Sequence, residues 1–255
     1  MTSFRCNGLT AHRGNPAAYP ENTLPGFADG LASGADWLET DVHGTRDGQV
    51  VVCHDATTGR TADADLVIAE SPLAELKRLD FSTGFRRTRG LDLAACPPTR
   101  MPLLSEVLEL VQWHGQARLS IQPKAAIVGE CAAVIKNLGA EDVVGFNEGC
   151  VDWLDELRRH FPSAPIFHDV VGRDEDLDDL IDQAKAHQFQ ALVMHHANVT
   201  GSKARRVLAA GLEFGAWNVA APEQMRALVR QGVWRLYADD PRALAAVLRR
   251  EGRPL

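Results

Sequence analysis

Residues 191–250 read ALVMHHANVT GSKARRVLAA GLEFGAWNVA APEQMRALVR QGVWRLYADD PRALAAVLRR. Three short apolar runs, Ala191–His195, Glu213–Trp217 and Trp234–Ala238, alternate with three longer amphipathic stretches, Ser202–Ala210, Pro222–Arg230 and Pro241–Arg250. The short runs have strand length, and the longer stretches carry apolar residues at helical spacing. Pro222 and Pro241 suit the first turn of a helix, where a missing N–H costs nothing. Strand, helix, strand in this order produces a parallel sheet.

Upstream the rhythm repeats. Candidate strands are Gly8–His12, Trp37–Val42, Arg118–Gln122, Val143–Phe146 and Pro165–His168. Thr23–Ser33 places Leu24, Phe27, Ala28, Leu31 and Ala32 at helical spacing, and Ser105–Trp113 does the same with Val107, Leu108, Leu110 and Val111. Ile127–Leu138, Val151–His160 and Asp176–His187 complete the helices. Eight strands alternating with eight helices over short loops predict an α/β fold, a (β/α)8 TIM barrel, with residues 1–255 as a single domain. A doubly wound open sheet is the alternative. The rhythm breaks after the second strand. Asp47-Gly48 signals a turn and 49–54 a returning hairpin strand. Residues 55–100, rich in Thr, Arg, Gly and Pro, read as an irregular insertion too long for an ordinary loop. An insertion there would overlie the barrel's active-site face as a lid, a substrate-binding element or an ornament.

Composition narrows the function. The net charge is −7 with no dense basic block, which argues against a nucleic-acid partner. Met1–Gly14 lacks the apolar run of a signal peptide, and no segment approaches the roughly 18 apolar residues of a membrane span. The 5 cysteines are scattered with no CxxC pair. That usage predicts reduced thiols in a cytoplasmic protein without structural zinc.

Unusual side chains gather at the strands' C-terminal ends, which converge on one mouth in a barrel. Strand one ends in His12-Arg13-Gly14, the hairpin in His54-Asp55, and the third barrel strand in Gln122-Pro123-Lys124. Glu39 and Asp41, two apart, face the same side of strand two. Taken singly, each histidine reads as a structural one and Glu39 as a salt-bridge residue. Two carboxylates inside one barrel strand, however, require a cation or hydrogen-bond donors, and a hard divalent metal meets that need. His168, His195, His196 and Trp217 also fall near the mouth. Trp217 could pack on the carbon face of a substrate, and Asp239 could orient a neighbour.

His12-Arg13-Gly14, Pro20-Glu21-Asn22-Thr23, Glu39-Thr40-Asp41-Val42, Asp47-Gly48 and Val51-Val52-Cys53-His54-Asp55 together resemble the glycerophosphodiester phosphodiesterase signature in order and spacing. Residues 101–108, 215–219 and 238–241 are similar to later stretches of that family. The resemblance implies His12 and His54 as the two catalytic histidines and Glu39 and Asp41 as metal ligands. It implies Lys124 as a phosphate contact, with Arg13 and Glu21 flanking the phosphate pocket; a supporting salt bridge is the plainer role for that pair. The family's third ligand is a glutamate in a Glu-x-Lys pattern, and this chain has Gln122 there. Gln keeps a carbonyl oxygen but loses a negative charge, so cation affinity should fall.

The expected activity is metal-dependent hydrolysis of a small-molecule glycerophosphodiester, with Mg2+ or Ca2+ as cofactor. His12 is the expected general acid and His54 the expected base, with the reverse assignment also open. Water or a neighbouring substrate hydroxyl could be the nucleophile. The rivals are a phospholipase D-like or cyclising lyase relative, and a degenerate protein that only binds phosphodiesters because of Gln122. A zinc hydrolase ranks last, because Thr10-Ala11-His12 lacks a His-x-His.

Overall fold

A computed structural model describes residues 4–172 and 176–253. The strands are β1 (Leu9–His12), β2 (Trp37–Gly44), β3 (Val50–Val52), β4 (Arg118–Pro123), β5 (Val144–Glu148), β6 (Ile166–Val170), β7 (Ala191–His195), β8 (Glu213–Val219) and β9 (Arg235–Ala238). Eight of them pair in parallel around the order β1-β9-β8-β7-β6-β5-β4-β2, and β1 pairs with β2, which closes the barrel. That closure excludes the open doubly wound sheet. β3 lies outside the ring, antiparallel to the end of β2, with Val42 opposite Val52. The Asp47-Gly48 turn thus makes the expected hairpin.

Helices Leu24–Ala32, Leu104–His114, Val128–Asn137, Val151–His160, Leu177–Ala186, Gly201–Ala209, Pro222–Arg230 and Pro241–Arg250 separate the barrel strands. Their apolar stripes pack on the outward side chains of the sheet, where Leu9, Leu38, Leu119, Phe146, Leu192 and Phe214 are fully buried. Inside, one end is plugged. Trp37 meets Phe167 edge-on at 5.2 Å, and the Arg235 guanidinium lies 4.2 Å from the Phe167 ring centre. Positions 37, 39 and 41 share one side of β2, so the chain climbs from that plug to Glu39 and then Asp41 near the open end.

Residues 55–100 are more ordered than the expected irregular insertion. They include a Thr57–Val67 bridge, helices Leu73–Leu76 and Thr83–Arg89, and a satellite core of Ala62, Ile68, Leu76 and Phe81 packed on Val51, Cys53 and Met101. Sequence periodicity missed these helices because 4 and 7 residues are too few to display a repeat. All five cysteine thiols are free. Among the described residues no helix is long and apolar enough to cross a membrane.

Helix 24–32 is capped by Thr23, whose Oγ1 accepts from Gly26 N and donates to the Pro20 carbonyl (2.7 Å). Thr23→Ala removes both bonds from a buried site. We expect a loss of about 1 kcal/mol, hence a Tm roughly 2–4 °C lower in a thermal melt.

Candidate active site

The open end of the barrel holds a cavity of about 240 Å3 lined by His12, Arg13, Glu39, His54, Gln122, Lys124, Asn147, Asp169, Trp217, Asn218 and Tyr237, among others. Residues far apart in the sequence therefore meet, as the strand-end positions required.

The two histidines are built alike. His12 is 7% exposed at the end of β1, and its Nδ1 lies 2.6 Å from Asp239 Oδ1, just past β9. An ionised carboxylate only accepts, so Nδ1 carries the proton and Nε2 turns towards Glu39 Oε2, 3.8 Å away. Asn218 Nδ2 approaches the same Nδ1 at 3.3 Å. His54 Nδ1 likewise lies 2.6 Å from Asp55 Oδ1, which is anchored by Arg60 Nε at 2.5 Å. His43 Nε2 donates to the His54 carbonyl at 3.2 Å. The environments then diverge. Burial opposes charge on His12, but the Asp239 bond and the Glu39 carboxylate outweigh it and hold the ring above its ordinary pKa. Burial wins at His54 and pushes that ring below its ordinary value.

Asp41 is fully buried and cross-linked. Arg13 Nε stands 3.1 Å and Lys124 Nζ 3.2 Å from its oxygens, and Asn22 Nδ2 donates to Oδ2 at 2.9 Å. Burial alone would raise its pKa, but the two cations hold it below the usual carboxylate range. Glu39, 2% exposed, accepts the Arg13 backbone N–H at 3.2 Å; burial and the neighbouring Asp41 push it upward. Arg13 and Asn22 both have left-handed backbone, with φ of 51° and 55°. Such conformations cost free energy in a residue bearing a side chain. At Asn22 the amide repays it locally: besides binding Asp41, its Oδ1 accepts from Thr40 Oγ1 at 3.1 Å. The two strained loops thus aim Arg13 and Asn22 at one carboxylate.

Glu21 does not line this cavity. It backs Arg13 (Nη1 to Oε1, 3.1 Å), is clamped by Arg60 at 2.7 and 2.8 Å, and borders a neighbouring cavity beside the insertion. Trp217 lines the main cavity and meets His195 edge-on at 5.0 Å. His168 and His196 do not line the main cavity; His168 lies 5.4 Å from Phe189 and His196 4.1 Å from His195, ring centre to ring centre. Asn147 and Asp169 were absent from the sequence reading. The strand expected over Pro165–His168 stops one residue short of Asp169, whereas β6 runs to Val170 and turns Asp169 inward.

Among the described residues no three His, Cys, Asp or Glu side chains form a ready-made metal cluster. The donor set still suits a hard cation. Glu39 and Asp169 are buried acids that burial pushes upward, Asp169 to about 7, and one Asp169 oxygen is buried without a hydrogen bond. Buried anions short of positive charge, next to an amide oxygen, are oxygen-ligand chemistry.

The profile of the glycerophosphoryl diester phosphodiesterase family matches residues 12–243. A glycerophosphodiester phosphodiesterase of Caldanaerobacter subterraneus subsp. tengcongensis is 28% identical over 96% of this chain and 98% of its own. One from Bacillus altitudinis is 33% identical over 64% of this chain and 67% of its own. Among solved structures, an Oleispira antarctica phosphodiesterase in complex with the product sn-glycerol-3-phosphate superposes with a TM-score of 0.82 at 24% identity, over 96% of this chain and 97% of that one. The superposition speaks to the fold; the match along nearly the whole sequence settles the family. This chain belongs to the glycerophosphoryl diester phosphodiesterase family.

Proposed function

We propose that this chain, acting as one barrel domain over residues 1–255 with 55–100 as an inserted subdomain, hydrolyses glycerophosphodiesters to glycerol 3-phosphate and an alcohol. The observation that carries the reading is the pair of histidines on one cavity, each held by its own carboxylate, with Arg13 and Lys124 lining the same cavity. His54 sits below its ordinary pKa, so near neutral pH its Nε2 is free to take a proton from the nucleophile. His12 sits above its ordinary pKa, so it holds a proton to give to the leaving alkoxide. Arg13 and Lys124 place positive charge where the phosphoryl oxygens gain negative charge. Trp217 offers an apolar wall for the carbon skeleton of the substrate. Glu39, Asp41 and the carbonyl oxygen of Gln122 would hold Mg2+ or Ca2+. When bound, such a cation supplies Lewis-acid charge to the phosphate.

A panel of glycerophosphodiesters, assayed with and without chelator and followed by phosphorus NMR, tests the proposal. Glycerol 3-phosphate should appear, stop with chelator, and return with Mg2+ or Ca2+. A cyclic phosphate as sole end product would make the protein a lyase. Binding without turnover would make it a phosphodiester-binding protein.

Asp239 is a positioning residue in this scheme, since it fixes the His12 tautomer and stabilises its charged form. Asp239→Asn should lower kcat by about 10²-fold. It should also move the alkaline limb of the pH–rate profile to lower pH, because the group that holds His12 above its ordinary value is lost. An unchanged alkaline limb would leave Asp239 with a structural role only.

A further inference from the structure

Position 122 is glutamine where the signature this sequence resembles has a glutamate, yet the cavity holds another acid. Asp169 enters from β6, two strands further round the barrel. It is 7% exposed and lines the same cavity as Glu39 and Gln122. Its Oδ2 accepts from Gln122 Nε2 at 2.8 Å and from Asn147 Nδ2 at 3.0 Å. Asn147 is itself fixed, its Oδ1 accepting from Ser120 Oγ at 2.7 Å. Two amides thus clamp one carboxylate oxygen, while Oδ1 is buried and makes no hydrogen bond. Tyr237, on the same cavity, leaves its hydroxyl equally without a partner and so does not serve that oxygen. A buried carboxylate oxygen without a donor is costly unless a ligand meets it. Among the described residues no arginine or lysine forms an ion pair with Asp169, whereas Asp41 has two.

We propose that Asp169 supplies a further negative charge to the divalent-cation site, in place of a carboxylate at position 122, with Gln122 holding Asp169 through Nε2 while its carbonyl oxygen stays turned to the cation. The inference rests on the metal-dependent reading above. It explains why a chain with Gln122 could still hold a cation: Asp169 on β6 brings a second carboxylate to the cavity beside Glu39.

Calorimetric titration with Mg2+, Ca2+ and Mn2+ of the wild type, Asp169→Asn and the double variant Asp169→Asn/Gln122→Glu provides the test, with no substrate present. Asp169→Asn is close to isosteric and keeps an acceptor for Gln122 and Asn147, and thermal melts without metal check that both variants fold. The wild type should bind one cation. Asp169→Asn should bind it about 10- to 100-fold more weakly, and the double variant should recover most of the loss because the charge returns to β4. Wild-type affinity in Asp169→Asn, or no recovery in the double variant, would overturn the proposal. If the wild type itself binds no cation, the metal-dependent reading fails and this inference with it, a result distinct from equal binding by wild type and variant.

Discussion

His12→Ala and His54→Ala should each lower kcat by about 10²–10⁴-fold, the usual worth of a positioned proton donor or acceptor, with a smaller change in KM. The argument rests on asymmetry. Both rings are tethered through Nδ1 at 2.6 Å, so both present Nε2 as the working atom. They differ in what else faces them. His12 sees Glu39 and Asp239 and is held above the ordinary histidine pKa; His54 is pushed below it, chiefly by burial. In the proposed scheme the active form carries a neutral His54 and a protonated His12. As pH falls through the His54 value the base is protonated and the rate falls. As pH rises through the His12 value the acid is lost and the rate falls again. The wild-type profile of kcat/KM should be a bell whose acid limb lies below pH 6.5 and whose alkaline limb lies above it. The residual activity of His54→Ala should lose the acid limb, and that of His12→Ala the alkaline limb. Near wild-type turnover in either variant would refute the two-histidine scheme. Limbs lost in the opposite order would exchange the roles.

The barrel was legible because its signals are local. Strand and helix runs of 4 to 11 residues repeat in order, and prolines mark the starts of helices 222–230 and 241–250. The hairpin followed from Asp47-Gly48. Most of the site was legible from strand ends, because a closed parallel sheet brings those positions together whatever their separation in sequence. What escaped depends on where a strand stops or on pairing across the barrel. One more inward residue on β6 would have exposed Asp169, but the sequence signal for strand ends is weak by one or two residues. The Asp239–His12 bond spans 227 residues, and no spacing rule links its partners. Glu21 was legible as a motif residue and its salt bridge to Arg13 as the plainer role, but not the clamp by Arg60 of the insertion. The insertion's short helices are held by packing on Val51, Cys53 and Met101 rather than by their own periodicity.

Gly14→Ala should be strongly damaging although it touches no functional group. Gly14 follows His12 and Arg13 with φ of 87°, a left-handed conformation that a side chain adopts only at a cost. It also presses on the first turn of helix 24–32. A Cβ there would lie 2.6 Å from the Gly26 carbonyl carbon and 2.8 Å from Phe27 N, both backbone atoms that cannot rotate away. Relief requires the loop to leave the helix, and the loop carries Arg13 with it. We expect a stability loss of about 2–4 kcal/mol, seen as a Tm roughly 5–15 °C lower. We also expect kcat/KM to fall by about 10²-fold in the folded fraction, since displacements near 1 Å at reacting groups have that effect. Gly48 separates the two causes. Its φ is 75°, but a Cβ would meet nothing within 4 Å. Gly48→Ala therefore carries only the conformational cost, about 1 kcal/mol, and should leave turnover unchanged. Equal Tm losses in the two variants would mean that the contact of Gly14 with helix 24–32 contributes nothing, and that His12 and Arg13 are held in place by their ion pairs and hydrogen bonds alone.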